Sequence, residues 1–155
     1  MSVEAVREYL KQWGKDPAVM EFDVSSATVE LAARALNTAP ERIAKTLSIQ
    51  DGEGCMLLVA AGDVKLDNAK FRARFGFKPR MLALEQVEEM TGHRVGGVCP
   101  FAVKPGVKVF TDVSLKRFAT VFPAAGSANS AIELTCPELF ELSGSQDWVD
   151  VCKTV

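Results

Sequence analysis

The stretch Lys45-Thr46-Leu47-Ser48-Ile49-Gln50-Asp51-Gly52-Glu53-Gly54-Cys55-Met56-Leu57-Leu58-Val59-Ala60 decides the fold. Two largely apolar runs, 45–49 and 55–60, flank Asp51-Gly52-Glu53-Gly54. Two strand-like runs joined by a short Gly-containing loop read as a β-hairpin. The second run is apolar at every position, so both of its faces should be buried and it belongs in the middle of a sheet.

Outward toward the N-terminus, Pro40 to Ile43 suits a short helical segment, because proline fits a first helical turn. Before it, Thr28 can cap a helix whose inner face is Val29, Ala32, Ala33 and Leu36, with Asn37 at its end. Phe22-Asp23-Val24 reads as a short strand or a loop. Val3, Val6, Leu10 and Trp13 recur at helical spacing ahead of Gly14, which predicts an N-terminal amphipathic helix.

Outward toward the C-terminus, Asp67 can cap a helix that runs through Phe75 and stops at Gly76. Arg80-Met81-Leu82 is a short strand. Leu84 to Thr91 is a helix with Leu84, Val87 and Met90 facing inward, ended by Gly92. The segment from His93 to Ala102 holds two adjacent glycines and a proline and cannot be a regular helix. Val107 to Asp112 alternates like a half-buried strand, Leu115 to Phe118 is a helical turn, and Ala119 to Phe122 is a strand. A turn at 124–129 leads into the run 130–134. Pro137 opens a last helix through Leu142, ended by Gly144, and Trp148 to Val151 adds a strand or packs on the surface. Helices and strands are interspersed without strict βαβ alternation, and several strand pairs are hairpin-like. The pattern predicts an α+β fold with a mixed, barrel-like sheet and helices outside.

The 155 residues are the length of one ordinary domain, and the reading is a single domain across 1–155. With 48% hydrophobic and 25% charged residues the composition is globular rather than disordered. Met1-Ser2-Val3-Glu4-Ala5-Val6-Arg7-Glu8 carries charges where a signal peptide needs an apolar stretch, and no run is long enough to span a bilayer. A cytoplasmic location without membrane association is the expectation. The net charge of −2 gives no global attraction to a polyanion. Contact with nucleic acid would need a local patch or help from a partner. Lys70, Arg72, Arg74, Lys78 and Arg80 form one candidate patch, Lys104 and Lys108 another, Lys116 and Arg117 a third. The plainer reading of each is a solvated face.

The inventory narrows the chemistry. Cys55, Cys99, Cys136 and Cys152 form no C-x-x-C pair and lie at no metal-ligand spacing from the single histidine, so neither a metal nor a disulfide framework is expected. Any serine triad or cysteine–histidine pair must use His93, and Cys99 lies six residues after it. The plainer reading is a polar residue past a helix end and a small buried hydrophobe. Gly92, Gly96 and Gly97 do not match a phosphate-binding or dinucleotide-binding spacing. Two features remain. Lys45 sits in an apolar strand and either snorkels at an edge or is held facing a cleft. Gly96-Gly97-Val98-Cys99-Pro100 can bring backbone N–H groups close to a ligand, or it is a tight bend in a sheet.

Arg42-Ile43-Ala44-Lys45-Thr46-Leu47, then Gly96-Gly97-Val98-Cys99-Pro100-Phe101-Ala102, then Gly126-Ser127 leading to Ile132-Glu133-Leu134 and Pro137-Glu138-Leu139, resemble in order and spacing the YbaK / prolyl-tRNA-synthetase-associated family. Its members are trans-editing aminoacyl-tRNA deacylases. The resemblance spans nearly the whole chain. It implies hydrolysis of the ester of mischarged aminoacyl-tRNA, with tRNA(Pro) carrying a small wrong amino acid such as alanine or cysteine as substrate and prolyl-tRNA synthetase as a partner.

It also implies site residues. Lys45 would be the family's lysine with Thr46 beside it, and Gly96 to Pro100 its G-x-x-x-P loop. Lys45, Gly96 and Pro100 would carry the reaction; Phe22, Thr46, Gly97, Val98, Cys99, Gly126 and Ser127 would contact substrate. Phe22 would lend an aromatic to the pocket mouth, and Gly126 and Ser127 would line the pocket. Ala124-Ala125 stands where members often have glycines, and Cys99 where they often have serine. The loop backbone would grip the aminoacyl end and stabilise the oxyanion, the Lys45 ammonium would offset negative charge, and water or a substrate group would attack. Two other classes compete: a non-catalytic module of the same fold that binds aminoacyl-tRNA or a synthetase, and a thiol enzyme built on Cys99.

Overall fold

The hairpin is the spine of a six-stranded mixed sheet in the computed structural model, which describes residues 3–155. Met1 and Ser2, at the charged N-terminus, lie outside the described residues. In chain order the elements are helix α1 (Val3–Leu10), strand β1 (Met20–Glu21), helix α2 (Val29–Leu36), and strands β2 (Ile43–Asp51), β3 (Gly54–Ala61) and β4 (Val64–Leu66). Helices α3 (Asn68–Phe75) and α4 (Leu84–Thr91) follow, then strands β5 (Lys108–Asp112), β6 (Thr120–Pro123), β7 (Ser130–Ala131) and β8 (Leu134–Thr135). Helix α5 (Cys136–Ser143) and strands β9 (Trp148–Val149) and β10 (Cys152–Thr154) close the chain.

The sheet order is β8-β6-β2-β3-β5-β9. β2 and β3 are antiparallel from Ala44↔Ala61 to Asp51↔Gly54. β2 runs parallel to β6, β3 to β5 and β5 to β9, and β6 is antiparallel to β8. The sheet curls into a half-barrel against five helices, the α+β architecture expected. Residues from Val3 to Cys152 share one hydrophobic core, and β3 is buried from Cys55 to Ala61. Two antiparallel pairs, β1–β7 and β4–β10, stand outside the main sheet.

Helix boundaries follow the local chemistry. The Thr28 hydroxyl accepts from Leu31 N, the Asp67 carboxylate from Lys70 N, and Thr135 with Glu138 closes a reciprocal capping box on α5. Phe22 to Val24 takes the loop form of its two readings, and Met20–Glu21 pairs with Ser130–Ala131. Other strands depart from the sequence reading. Arg80-Met81-Leu82 makes a single bridge, Met81 to Ile49. The run 130–134 is split, with Ile132-Glu133 between β7 and β8. The tail yields two strands, β9 on the main sheet and β10 on β4.

β5 is not half-buried: Thr111 and Asp112, at polar positions, are enclosed. Their burial is compensated by hydrogen bonds. Thr111 Oγ1 lies 3.0 Å from Ser145 Oγ, and Asp112 accepts from Ser114 N at 2.9 Å and Val151 N at 3.0 Å. On α4, Val87 is buried as expected, but Leu84, in its first turn, is 69% exposed rather than inward-facing.

Candidate functional site

β2 is paired along its whole inner edge and only in part along its outer edge. Ile43 and Ala44 pair with Phe122 and Pro123 of β6. Further along, Leu82 N donates to Ser48 O at 3.0 Å and Gln50 N to Arg80 O at 2.8 Å. Between these contacts, among the described residues, no strand pairs with the outer edge at Lys45, Thr46 and Leu47. The sheet therefore has a window, and a cavity of about 290 Å³ opens at it.

Its walls come from four parts of the chain. Lys45 and Thr46 form the β2 wall, Gly96 and Val98 the loop wall, Ala124 and Ser130 the wall beyond β6, and Ser26 to Val29 the start of α2. The half-buried Lys45 donates through Nζ to the carbonyl of Val64. Burial pushes its pKa below the ordinary lysine value of 10.5, against the pull of the Asp63 and Glu30 carboxylates. Thr46 Oγ1 is buried without a hydrogen-bond partner; among the described residues only His93 Nδ1 shares that condition.

The loop is anchored from behind. The ring of His93 is buried, and Nε2 lies 2.7 Å from the Phe101 carbonyl, to which it donates. Thr91 Oγ1 accepts from His93 N at 3.0 Å. Gly96 has φ +92°, a backbone region that side chains strain to enter. Gly97 lies so close to the 126–130 turn that an added Cβ would sit 2.9 Å from Ser127 Cα. That turn is itself tied down: Ser127 Oγ donates to Asn129 Oδ1 and lies 2.8 Å from Ser130 Oγ, while Asn129 Nδ2 donates to Phe22 O at 2.9 Å. Ser26 N donates to Ala128 O at 2.6 Å. The segments around 22–28, 96–100 and 126–130, far apart in sequence, thus form one body.

Of the residues expected at the site, Lys45, Thr46, Gly96 and Val98 line the cavity. Gly97, Gly126 and Ser127 do not; they line an adjoining open depression of about 610 Å³, because Gly97 stacks on the Ser127 backbone and both form the partition. Phe22 lines neither and is held by its main chain to Asn129. Cys99 and Pro100 are buried behind the loop. The Cys99 thiol lies 3.6 Å from His93 Nε2, but burial pushes its pKa up to about 12 and pushes that of His93 below its usual value. Burial thus disfavours both charged partners of a thiolate–imidazolium pair, which weighs against Cys99 as a nucleophile.

Sequence reasoning missed Ser26, Ala124 and Ser130 as wall residues. Each is a small residue whose role depends on a distant segment lying against it. Among the described residues, no cluster of three potential metal ligands occurs and no helix is long and apolar enough to cross a membrane.

Among the described residues, ion pairs hold three of the nine patch cations. Lys70 pairs with Asp150 and Arg74 with Asp147, while Arg117 makes a two-pronged contact with Asp63. Lys116 lies over the Trp148 ring at 4.6 Å. Surface pairs of this kind favour the reading as solvated faces.

Similarity to known proteins agrees with this architecture. Over 154 residues the chain is 55% identical to the uncharacterized protein YwhH of Bacillus subtilis (strain 168), covering 99% of this chain and 98% of that one. It is 29% identical over 117 residues to proline–tRNA ligase of Kosmotoga olearia, of which it spans only 20%. A solved structure provisionally identified as a trans-editing enzyme for prolyl tRNA synthetase superposes with TM-score 0.87 at 28% identity, covering 97% of this chain and 96% of that one. The aminoacyl-tRNA editing domain family matches residues 23–142, and the chain belongs to that family.

Proposed function

We propose that the protein hydrolyses the ester of mischarged aminoacyl-tRNA, acting in trans on tRNA(Pro) that carries a small wrong amino acid such as alanine or cysteine. The observation that carries this reading is the meeting of Lys45, Thr46 and the Gly96–Val98 loop around one cavity in a chain of the editing family. At about 290 Å³ the cavity is at the small end of ligand sites, which suits a short aminoacyl group better than a large side chain. Small apolar amino acids are also those a synthetase rejects least well.

Water adds to the ester carbonyl, the bond to the ribose oxygen breaks, and that oxygen leaves with a proton. Free amino acid and uncharged tRNA result. The ester is already activated, so positioning and charge stabilisation supply most of the rate. The Lys45 ammonium offsets the negative charge that develops, and backbone N–H groups of the 96–100 loop support it. The likeness to prolyl-tRNA synthetases supports that enzyme as partner, and a tRNA substrate supports a cytoplasmic location. With net charge −2, and with carboxylates paired to Lys70 and Arg74, a partner that delivers the tRNA fits better than tight binding by this chain alone.

The test is deacylation of Ala-, Cys-, Ser- and Pro-tRNA(Pro) by the wild type and Lys45→Ala. Lys45-dependent hydrolysis of a mischarged species, with Pro-tRNA(Pro) spared, is expected. Activity that survives Lys45→Ala removes the assigned role of that lysine. Stoichiometric binding without turnover would favour the non-catalytic module.

A further inference from the structure

We infer that Thr46 receives the aminoacyl group as a one-residue strand, through its main-chain N–H and C=O. The inference rests on the deacylase reading and adds how the substrate is held.

Along a strand, the N–H and C=O of one residue point to the same edge, and successive residues alternate between edges. Ser48 and Gln50 use their outward groups on the 80–82 segment, and Ala44 uses its own on β6. Thr46 is the position between them with the same orientation. β6 stops pairing at Ala44, and the 80–82 segment begins at Ser48. The N–H and C=O of Thr46 therefore face the cavity, beside a hydroxyl that is itself buried and unpartnered. Polar groups in such a place are normally paired, and a ligand that pairs them would recover that deficit.

An α-aminoacyl ester has the atoms of one peptide residue: a nitrogen donor, a Cα and a carbonyl. Facing Thr46, it can make the two-bond exchange of an antiparallel pair. The α-ammonium donates to Thr46 C=O, and the ester carbonyl accepts from Thr46 N–H. As water attacks, charge grows on that carbonyl oxygen, so the Thr46 amide becomes an oxyanion donor.

The same geometry sets stereochemistry and size. Directly opposed residues of an antiparallel pair put their side chains on one face. The side chain of an L-amino acid therefore follows that of Thr46 toward a small recess of about 140 Å³, which Thr46, Ser48, Leu82, Val87 and Val98 help to line. A D-amino acid would send its side chain to the opposite face. The arrangement selects small L-aminoacyl esters with a free amino group.

Thr46→Pro removes the N–H at a position where no ladder bond is lost, so the strand is preserved. Folding is checked by circular dichroism and melting. In single-turnover deacylation of Ala-tRNA(Pro), Thr46→Pro should be about 100-fold slower than wild type. Thr46→Val, which keeps the amide, should retain at least about ten times the activity of the proline variant. A folded Thr46→Pro with wild-type activity overturns the inference and leaves the deacylase reading intact. Should the proline variant not fold, wild type alone decides with D-Ala-tRNA(Pro) and propionyl-tRNA(Pro), each rate divided by its spontaneous hydrolysis. Both should fall at least about tenfold below L-Ala-tRNA(Pro), and equal ratios overturn the inference. If the wild type hydrolyses no aminoacyl-tRNA, the deacylase reading fails and this inference falls with it.

Discussion

Gly97 and Ser127 are in backbone contact: an added Cβ at Gly97 would lie 2.9 Å from Ser127 Cα, 3.0 Å from its carbonyl carbon and 3.1 Å from its nitrogen. All three neighbours are main-chain atoms of a turn fixed by Ser130 and Asn129, so they cannot swing away as a side-chain tip would. The partition between the cavity and the adjoining depression exists because residue 97 has no side chain.

Gly97→Ala should therefore push the loop off the 126–130 turn. Overpacking of this kind costs about 1–3 kcal/mol, and the displaced Gly96 and Val98 should lower deacylation at least about tenfold. Thermal melting and single-turnover rates check both parts. Unchanged values for each would mean that the two segments are not held as close as described.

Lys45 should impose an alkaline limb on activity. Burial disfavours its ammonium, so the proton leaves at a lower pH than the ordinary 10.5. As pH rises through that depressed pKa, the Lys45-dependent rate, taken relative to spontaneous ester hydrolysis, should fall. Lys45→Ala should lack this limb and show low activity throughout. A wild-type profile that stays flat up to 10.5 would contradict a catalytic role for the ammonium.

Cys99 should behave as a packing residue. Its thiol is buried, and with a pKa near 12 it remains protonated at neutral pH. Iodoacetamide should leave activity intact, and Cys99→Ser should reduce it only a few-fold. Inactivation that maps to Cys99 and is prevented by substrate would restore the thiol mechanism.

His93 should make the fold acid-sensitive. Burial lowers its pKa below the unfolded value of 6.5, so below that pH the unfolded chain binds a proton that the native ring refuses. Stability is complete above 6.5 and declines as pH falls toward the native pKa, by at most about 1.4 kcal/mol per pH unit. His93→Gln removes this contribution, so the stability difference between wild type and variant should shrink on acidification. Denaturant titrations at pH about 7, 6 and 5 measure it. A constant difference would show that His93 titrates alike in both states.

Much of this protein is written locally. The hairpin at 43–61, the caps Thr28 and Asp67, and the glycine ends of three helices follow from interactions among residues a few positions apart, which the sequence displays directly. The order of Lys45, the glycine loop and the Gly126–Ser127 turn was legible as a family pattern as well. What the order of residues alone determined is thus the set of elements and the short list from which a site could be built. It could not say which of those residues share a cavity. Phe22, Gly97, Gly126 and Ser127 were drawn toward the pocket by that pattern, yet the close approach of Gly97 to Ser127 puts the latter three on the other side of a partition. Nor did the alternation in 107–112 disclose that Thr111 and Asp112 are enclosed, since their partners at 145–151 reach them only after β9 and β10 are in place. The opening beside Thr46 is the plainest instance. It exists because β6 and the 80–82 segment, separated from β2 by dozens of residues, each pair with a different end of that strand and leave its middle bare. Which edge groups stay unpaired depends on contacts between distant segments, and that is decided only when the whole chain has packed.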